Sequence, residues 1–340
     1  MTAPSVLLSA SIGSRAAKAL AILTLILIAS FFVGLMAGSQ RIHPTSLLTD
    51  SFSRTLFFRL RLPRVLLGLV IGASLGVTGG ALQALFRNPL ADPYTLGVSG
   101  GGALGASIAI ALGWSARIKG IPLVFVASFA GAMVAVSLVR TIARTGAVVA
   151  PGALLLSGVA LNLIAAAGVL TIEYLTDPGS ALRILRWLVG SLDIVGLDPI
   201  FRMLCVLAPA WLALLAFSRQ LNLIAIDEDT AVTLGVNVRR CQEMVHVLCA
   251  LIVGVTVAVG GAIGFVGLIV PHAVRMMFGE DLRIVLPGSL LLGAAFLILA
   301  DVLARSALPS SELPVGAITG LLGGPVFLWL LRRRQQYTAM

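Results

Sequence analysis

Residues 61–105 read RLPRVLLGLVIGASLGVTGGALQALFRNPLADPYTLGVSGGGALG, two glycine-striped apolar segments joined by a polar, proline-bearing turn. Gly68, Gly72, Gly76 and Gly80 recur at every fourth position, so on a helix they share one face and let a neighbouring backbone approach closely. Gly97, Gly101 and Gly105 repeat the device on the next segment. Taken singly, each glycine says only that membrane helices pack, since small residues are their usual contact surface. The whole block, stripe and turn together, points to a transporter rather than an anchor.

Composition places the rest of the chain around that block. Of 340 residues, 59% are hydrophobic and 11% charged, against about 25% charged in a soluble domain. Apolar runs predict spans at 17–38, 64–85, 95–113, 121–140, 153–175, 199–218, 243–260, 263–277, 284–304 and 314–331. The fold expected is therefore an all-α polytopic membrane protein, residues 1–340 forming a single transmembrane domain. Ten spans at about 20 residues each leave only short loops. The segment 264–278 is short and carries Pro271, so it reads as a partial span shielded by its neighbours. The formal charge of +10 could suggest nucleic acid, but the arginines sit between apolar runs with no aromatic interleaving, which excludes that partner. A slight excess of basic residues, the Arg332–Arg334 tail among them, places both termini on the cytoplasmic side.

The loop 223–241, LIAIDEDTAVTLGVNVRRC, carries helix punctuation. Asp227 suits a cap, Glu228 and Asp229 suit a positive helix end, and Gly235 suits a left-handed stop. A second short helix is expected through Arg239 and Arg240. Two small helices at a membrane face form a knob that a cytoplasmic motor could grip; an ordinary structured loop is the alternative. No motor is encoded, because GxxxxGK[ST] is absent and neither Lys18 nor Lys119 stands in a phosphate-cradling loop. Ion coupling is poorly served, since the acids fall in loops or near helix ends, whereas a proton relay keeps one at mid-membrane. Asn162 is the polar side chain expected well inside a span, lining a path or bonding to a neighbour.

On the opposite side, Arg61 and Arg64 precede the second span, and Asp301 and Arg305 lie four residues apart near the end of the ninth. They form either an internal ion pair or, with Arg61, Arg64 and Arg305 outward, a basic patch for an acidic partner. The segment 176–198 places Arg183, Arg186 and Trp187 on an amphipathic turn that is an outer gate or an interfacial helix. Cys205, Cys241 and Cys249 read as packing residues, and His43, His246 and His272 have no partner at ligand spacing, so no metal site is expected. Neither paired carboxylates nor a Ser/His/Asp set appears, so an enzyme is not expected.

RLPR at 61–64, GALQALFRNPLADP at 80–93, LGVSGGG at 96–102, DTAVTLGV at 229–236, GAIGFVGLIVPHAVR at 261–275, ADVLAR at 300–305 and ELPVGAITGLLGGPVFLWLL at 312–331 resemble, in order and nearly end to end, the permease subunits of type II ABC importers, the FecCD family. The resemblance implies a ten-helix protomer in a homodimer in the bacterial inner membrane. Two cytoplasmic ATPase subunits, which bind ATP and Mg2+, and a periplasmic substrate-binding protein complete the assembly. It further implies that Arg61, Arg64 and Arg305 dock the binding protein, and that Asp227, Asp229, Thr230, Gly235, Val236 and Arg239 belong to coupling helices. The family's inner gate maps near Pro151 and Gly152, where the hydroxyl residues of some relatives are missing. Cargo of this family is chelated iron, haem or cobalamin. A path lined by small and apolar residues favours haem or a ferric siderophore, with Arg183 or Arg186 meeting carboxylates, and cobalamin is the alternative. An ion-coupled secondary transporter is the alternative of a different class.

Overall fold

The structure is a computed structural model that describes residues 4–37, 50–145, 148–149, 151–308 and 312–338. Helices follow one another from α1 (Pro4–Met36) to α2 (Ser51–Leu85), α3 (Val98–Ala111), α4 (Leu123–Ile142), α5 (Pro151–Leu175), α6 (Pro178–Leu188) and α7 (Asp198–Ala216). Two short helices, α8 (Ser218–Ile226) and α9 (Glu228–Thr233), precede α10 (Val238–Gly260), α11 (Val266–Phe278), α12 (Leu282–Ser306) and α13 (Val315–Thr338). The strands among the described residues are two-residue hairpins, Arg117–Ile118 with Ile121–Pro122 and Arg144–Thr145 with Val148–Val149.

Among the described residues, seven helices are long and apolar enough to cross a membrane, and three of the predicted spans, Val98–Ala111, Val266–Phe278 and Val315–Trp329, are shorter apolar helices. Lipid drives helices together weakly because its tails are as apolar as leucine, so close packing and internal hydrogen bonds decide the arrangement. Helix α2 lies at the centre: 89% of its apolar window is buried, against 22% for α5. A Cβ on Gly72 would overlap the Gly293 carbonyl of α12, and one on Gly76 the Ser289 carbonyl, so these helices touch backbone to backbone.

The glycine stripe needs correction at its ends. A Cβ on Gly68 or Gly80 would first meet a side chain, Leu192 at 3.3 Å or Leu286 at 3.2 Å, while one on Gly79, off the predicted face, would make the tightest approach, against Gly267 of α11. Gly101 and Gly105 do bring α3 onto α4, at Gly131 and Ala127. Gly97 serves a different end: with φ at +79° it precedes α3 as a left-handed cap, a conformation that L side chains avoid.

Helix α2 starts earlier than its hydropathy suggests, capped by Asp50, which accepts the Phe52 and Ser53 N–H groups at 3.0 and 2.9 Å. Its second turn, Phe57–Arg61, is π-helical. Pro63 lacks an N–H and its ring crowds the carbonyl four residues back, so the wider turn relieves the clash. The Arg59 carbonyl thus freed accepts Gly196 N–H at 3.1 Å. Pro271, in contrast, does not break α11, which runs through it. The discontinuity lies upstream, at 261–265, where Gly261 has φ +69° and Phe265 +67°.

Candidate functional site

Two short helices begin side by side inside the bundle, and each start leaves backbone groups without an intrahelical partner. Asn162, from α5, accepts Gly100 N–H at 3.0 Å and donates to the Tyr94 carbonyl at 2.9 Å, closing the start of α3. The Tyr94 hydroxyl accepts Ile263 N–H at 2.9 Å, tying that start to the break before α11. Gln83 completes the framework. Because Pro271 has no N–H, the Gly267 carbonyl is orphaned, and Gln83 donates to it and to the Leu268 carbonyl, each at 3.2 Å. The other end of the amide accepts from Arg275.

A cavity of about 640 Å³ opens where these breaks meet, lined by Asp92, Tyr94, Ser99, Asn162, Leu163 and Phe265 among others. Its wall is mostly apolar with a few polar groups on fixed backbone, the character of a small-molecule site. Phe265 is held in the left-handed region, which costs a bulky residue about 1–3 kcal/mol, and Gly323 of α13 lies so close that a Cβ there would overlap the phenyl ring. Of the two alternatives for Asn162 the structure shows the bond to a neighbour, and the same side chain lies on the cavity wall. Tyr94, Gln83 and Phe265 escaped the sequence reading. Their signals were a lone amide in an apolar helix and a glycine-bounded aromatic upstream of a proline.

The segment 223–241 has the punctuation expected and a different extent. Asp227 caps α9, accepting Thr230 N–H at 2.8 Å and its hydroxyl at 2.9 Å, and these bonds hold its carboxyl below the usual carboxylate range. Gly235 has φ +84° with open space around it, so its requirement is conformational. Val236 is half-buried against the core, and Asp229 is exposed. No second short helix follows: Asn237 caps α10, which runs unbroken through Arg239 and Arg240 to Gly260, with Arg239 paired to Glu243 at 3.3 Å. The second element of the knob is α8, upstream, which the sequence reading had merged with the end of α7 and the loop.

Each knob helix is tied down. On α8, Asn222 donates to Asp281 at 2.8 Å and accepts Leu282 N–H at 2.9 Å. Asp281 caps α12 and pairs with Arg283, whose guanidinium pushes its carboxyl down to about 2. On α9, Glu228 accepts from Arg87 at 3.3 Å and Gln242 at 3.2 Å.

At the other end, the arginines expected to form an open basic patch turn inward. Arg61 and Arg305 are only 8% and 5% exposed. Arg61 donates to the Leu35 carbonyl at 3.2 Å, and Arg305 to those of Ala37 and Gly34 at 2.9 and 3.1 Å. Arg305 also pairs with Asp301 at 2.8 Å, and Arg64 meets Asp301 at 2.9 Å, Glu312 at 2.5 Å and Asp193 at 3.2 Å. The internal network is the arrangement realised, because three carboxylates and the carbonyls at the end of α1 take up the guanidinium donors. Helix α6 is amphipathic, with Arg183 and Arg186 exposed; Arg183 donates to Ser180 at 2.6 Å. Trp187 is half-buried and packs on the core, and its indole nitrogen makes no hydrogen bond among the described residues. Pro151 begins α5, Gly152 is exposed, and residues 146–147 and 150 beside them lie outside the described residues, as do Arg41 and His43. Cys241 and Cys249 are buried, whereas Cys205 is exposed.

The profile of the FecCD transport family matches residues 26–333. The hemin transport system permease protein HmuU of Yersinia pestis is 40% identical over 286 residues, 83% of this chain and 84% of that protein. The cobalamin import system permease protein BtuC of Halobacterium salinarum is 42% identical over 277 residues, 81% and 73% of the two chains. A solved structure described as an inward-facing metal-chelate type ABC transporter superposes with a TM-score of 0.81 at 31% identity, covering 93% of this chain and 99% of the other.

Proposed function

The chain belongs to the FecCD transport family, the permease subunits of ABC importers, and from that premise we propose that its cargo is a chelated iron compound, haem or a ferric siderophore. The observation that carries this reading is the cavity at the two helix breaks. It joins an apolar wall of Leu163, Phe265 and Leu268 to the polar Asp92, Ser99 and Asn162, a lining suited to a flat, greasy molecule with polar margins. Likeness to a hemin permease over most of both chains supports it.

The cavity borders α5, whose Leu156, Leu163 and Leu170 are 75%, 68% and 65% exposed. So exposed an apolar face calls for an apolar cover. A second copy of the chain is the cover we infer, with the path between the two protomers. A separate cytoplasmic ATPase, binding ATP and Mg2+, drives the switch through α8 and α9, and an external binding protein delivers cargo. Both termini face the cytoplasm in the inner membrane, and Gly152 stands near the inner gate. Nucleotide can shift the permease only by contacting the knob differently in two states.

The test is ATP hydrolysis by the purified permease–ATPase complex in lipid, with the binding protein loaded in turn with hemin, a ferric siderophore or cobalamin. Stimulation by hemin or the siderophore above cobalamin is expected. Likeness to a cobalamin permease at 42% identity favours a second reading, and stimulation by cobalamin alone would establish it in place of the first.

A further inference from the structure

The contacts of Asn222 differ in kind from the others that hold the knob. Its amide makes a two-point clasp, donating to the Asp281 carboxylate and accepting from the Leu282 N–H, at 2.8 and 2.9 Å. One hydrogen bond would leave α8 free to swivel, whereas two from one planar group fix its direction. Leu221 and Ile224, flanking Asn222 on the same helix, are fully buried. Asp281 is itself immobilised, accepting Arg283 N–H at 2.9 Å and pairing with its guanidinium at 2.6 Å. By comparison the bonds of Glu228 on α9, at 3.3 and 3.2 Å, are long and lie nearer solvent.

Beyond the clasp the contacts are equally stiff. Helix α12 meets α2 backbone to backbone at Gly293 and Ser289. Helix α2 in turn holds the orphaned Gly267 carbonyl of α11, and that of Leu268 beside it, through Gln83, beside the cavity. A displacement of α8 has little slack to absorb it along this route.

We propose that Asn222 and Asp281 form a strut that transmits movement of the knob into α12 and so to the cavity, which makes them positioning residues for transport. The inference rests on the coupling role assigned above to 223–241. Spatial continuity alone does not establish coupling, so the experiment reads coupling directly and needs no knowledge of the cargo. Cys205, Cys241 and Cys249 are replaced by Ala, Leu163→Cys is introduced in the cavity, and maleimide labelling of the permease–ATPase complex in lipid is timed with and without ATP.

With the strut intact, ATP should change the labelling rate by about fivefold or more, the lower end of ordinary coupling energies. Asn222→Ala should bring that ratio close to one while the ATPase still co-purifies and the thermal midpoint stays near the parent's. Asn222→Asp should do the same by setting two carboxylates together. The swap Asn222→Asp with Asp281→Asn should restore the ratio, since the new carboxylate accepts from Leu282 N–H and from the new amide, which still caps α12. A parent-like ratio in Asn222→Ala, a loss that follows unfolding or ATPase release, or a swap that rescues nothing would each overturn the strut. Gly235→Val separates the two readings. If it uncouples and Asn222→Ala does not, the strut alone falls; if neither uncouples, the coupling role of 223–241 falls with it.

Discussion

Helix α12 is held by an aspartate at each end, and the two ends work under different physics. At its start Asp281 caps the helix and meets Asn222 and Arg283, with side chains 25% and 42% exposed in the Arg283 pair. Near its end Asp301 is 2% exposed and takes Arg64 and Arg305. Water competes for the first set of bonds and not for the second. The exposed set is therefore worth little to stability while still fixing geometry, and the buried set is costly to break.

Breaking the buried end should have the largest effect. Asp301→Ala leaves the Arg305 guanidinium buried without its carboxylate and should cost about 3–5 kcal/mol, seen as a large fall in the thermal midpoint of the purified protein. An unchanged midpoint would mean that the arginines turn outward and are available to dock a partner after all. Next comes the packing that joins the two ends. Gly72→Val drives a side chain into the Gly293 carbonyl, and overpacking of this kind costs about 1–3 kcal/mol; Gly68→Val, where a Cβ would first meet the Leu192 side chain at 3.3 Å, should cost visibly less in the same melt.

Asn162→Ala removes the partner of Gly100 N–H and the Tyr94 carbonyl, which should cost about 1–3 kcal/mol and lower cargo-stimulated ATP hydrolysis through disorder at the cavity. The smallest loss of stability belongs to the exposed end. Gly235→Val forces a β-branched residue towards φ +84°, at about 1–2 kcal/mol, in a place with room for the side chain. Its signature should be lost coupling of hydrolysis to transport in vesicles, out of proportion to the shift in melting. A variant that couples normally would remove the knob from the mechanism.

The contrast also separates what sequence could reveal from what it could not. Helix existence, the cap at Asp227 and the left-handed stop at Gly235 are local, set by hydropathy and by residues a turn apart, and they were legible. The Asp301–Arg305 pair was legible as spacing, but its burial was not, because that depends on α1 and on residues 64, 193 and 312 arriving together. The clasp between Asn222 and Asp281 joins positions 59 apart, and that between Gln83 and Gly267 positions 184 apart. No periodicity announces such pairs. Pro271 stays within α11, and Gln83, reaching across from α2, takes the carbonyl that its missing N–H leaves orphaned. The partial span at 264–278 was legible, while the residues that line the cavity beside it, Tyr94 and Phe265 above all, are fixed by tertiary contact.

The permease is expected to have no power of its own. Vesicles containing this chain alone should accumulate no hemin, ferric siderophore or cobalamin against a gradient, with or without a proton gradient, and should do so only when the ATPase, the loaded binding protein and ATP are added. Uphill accumulation by the chain alone would contradict it.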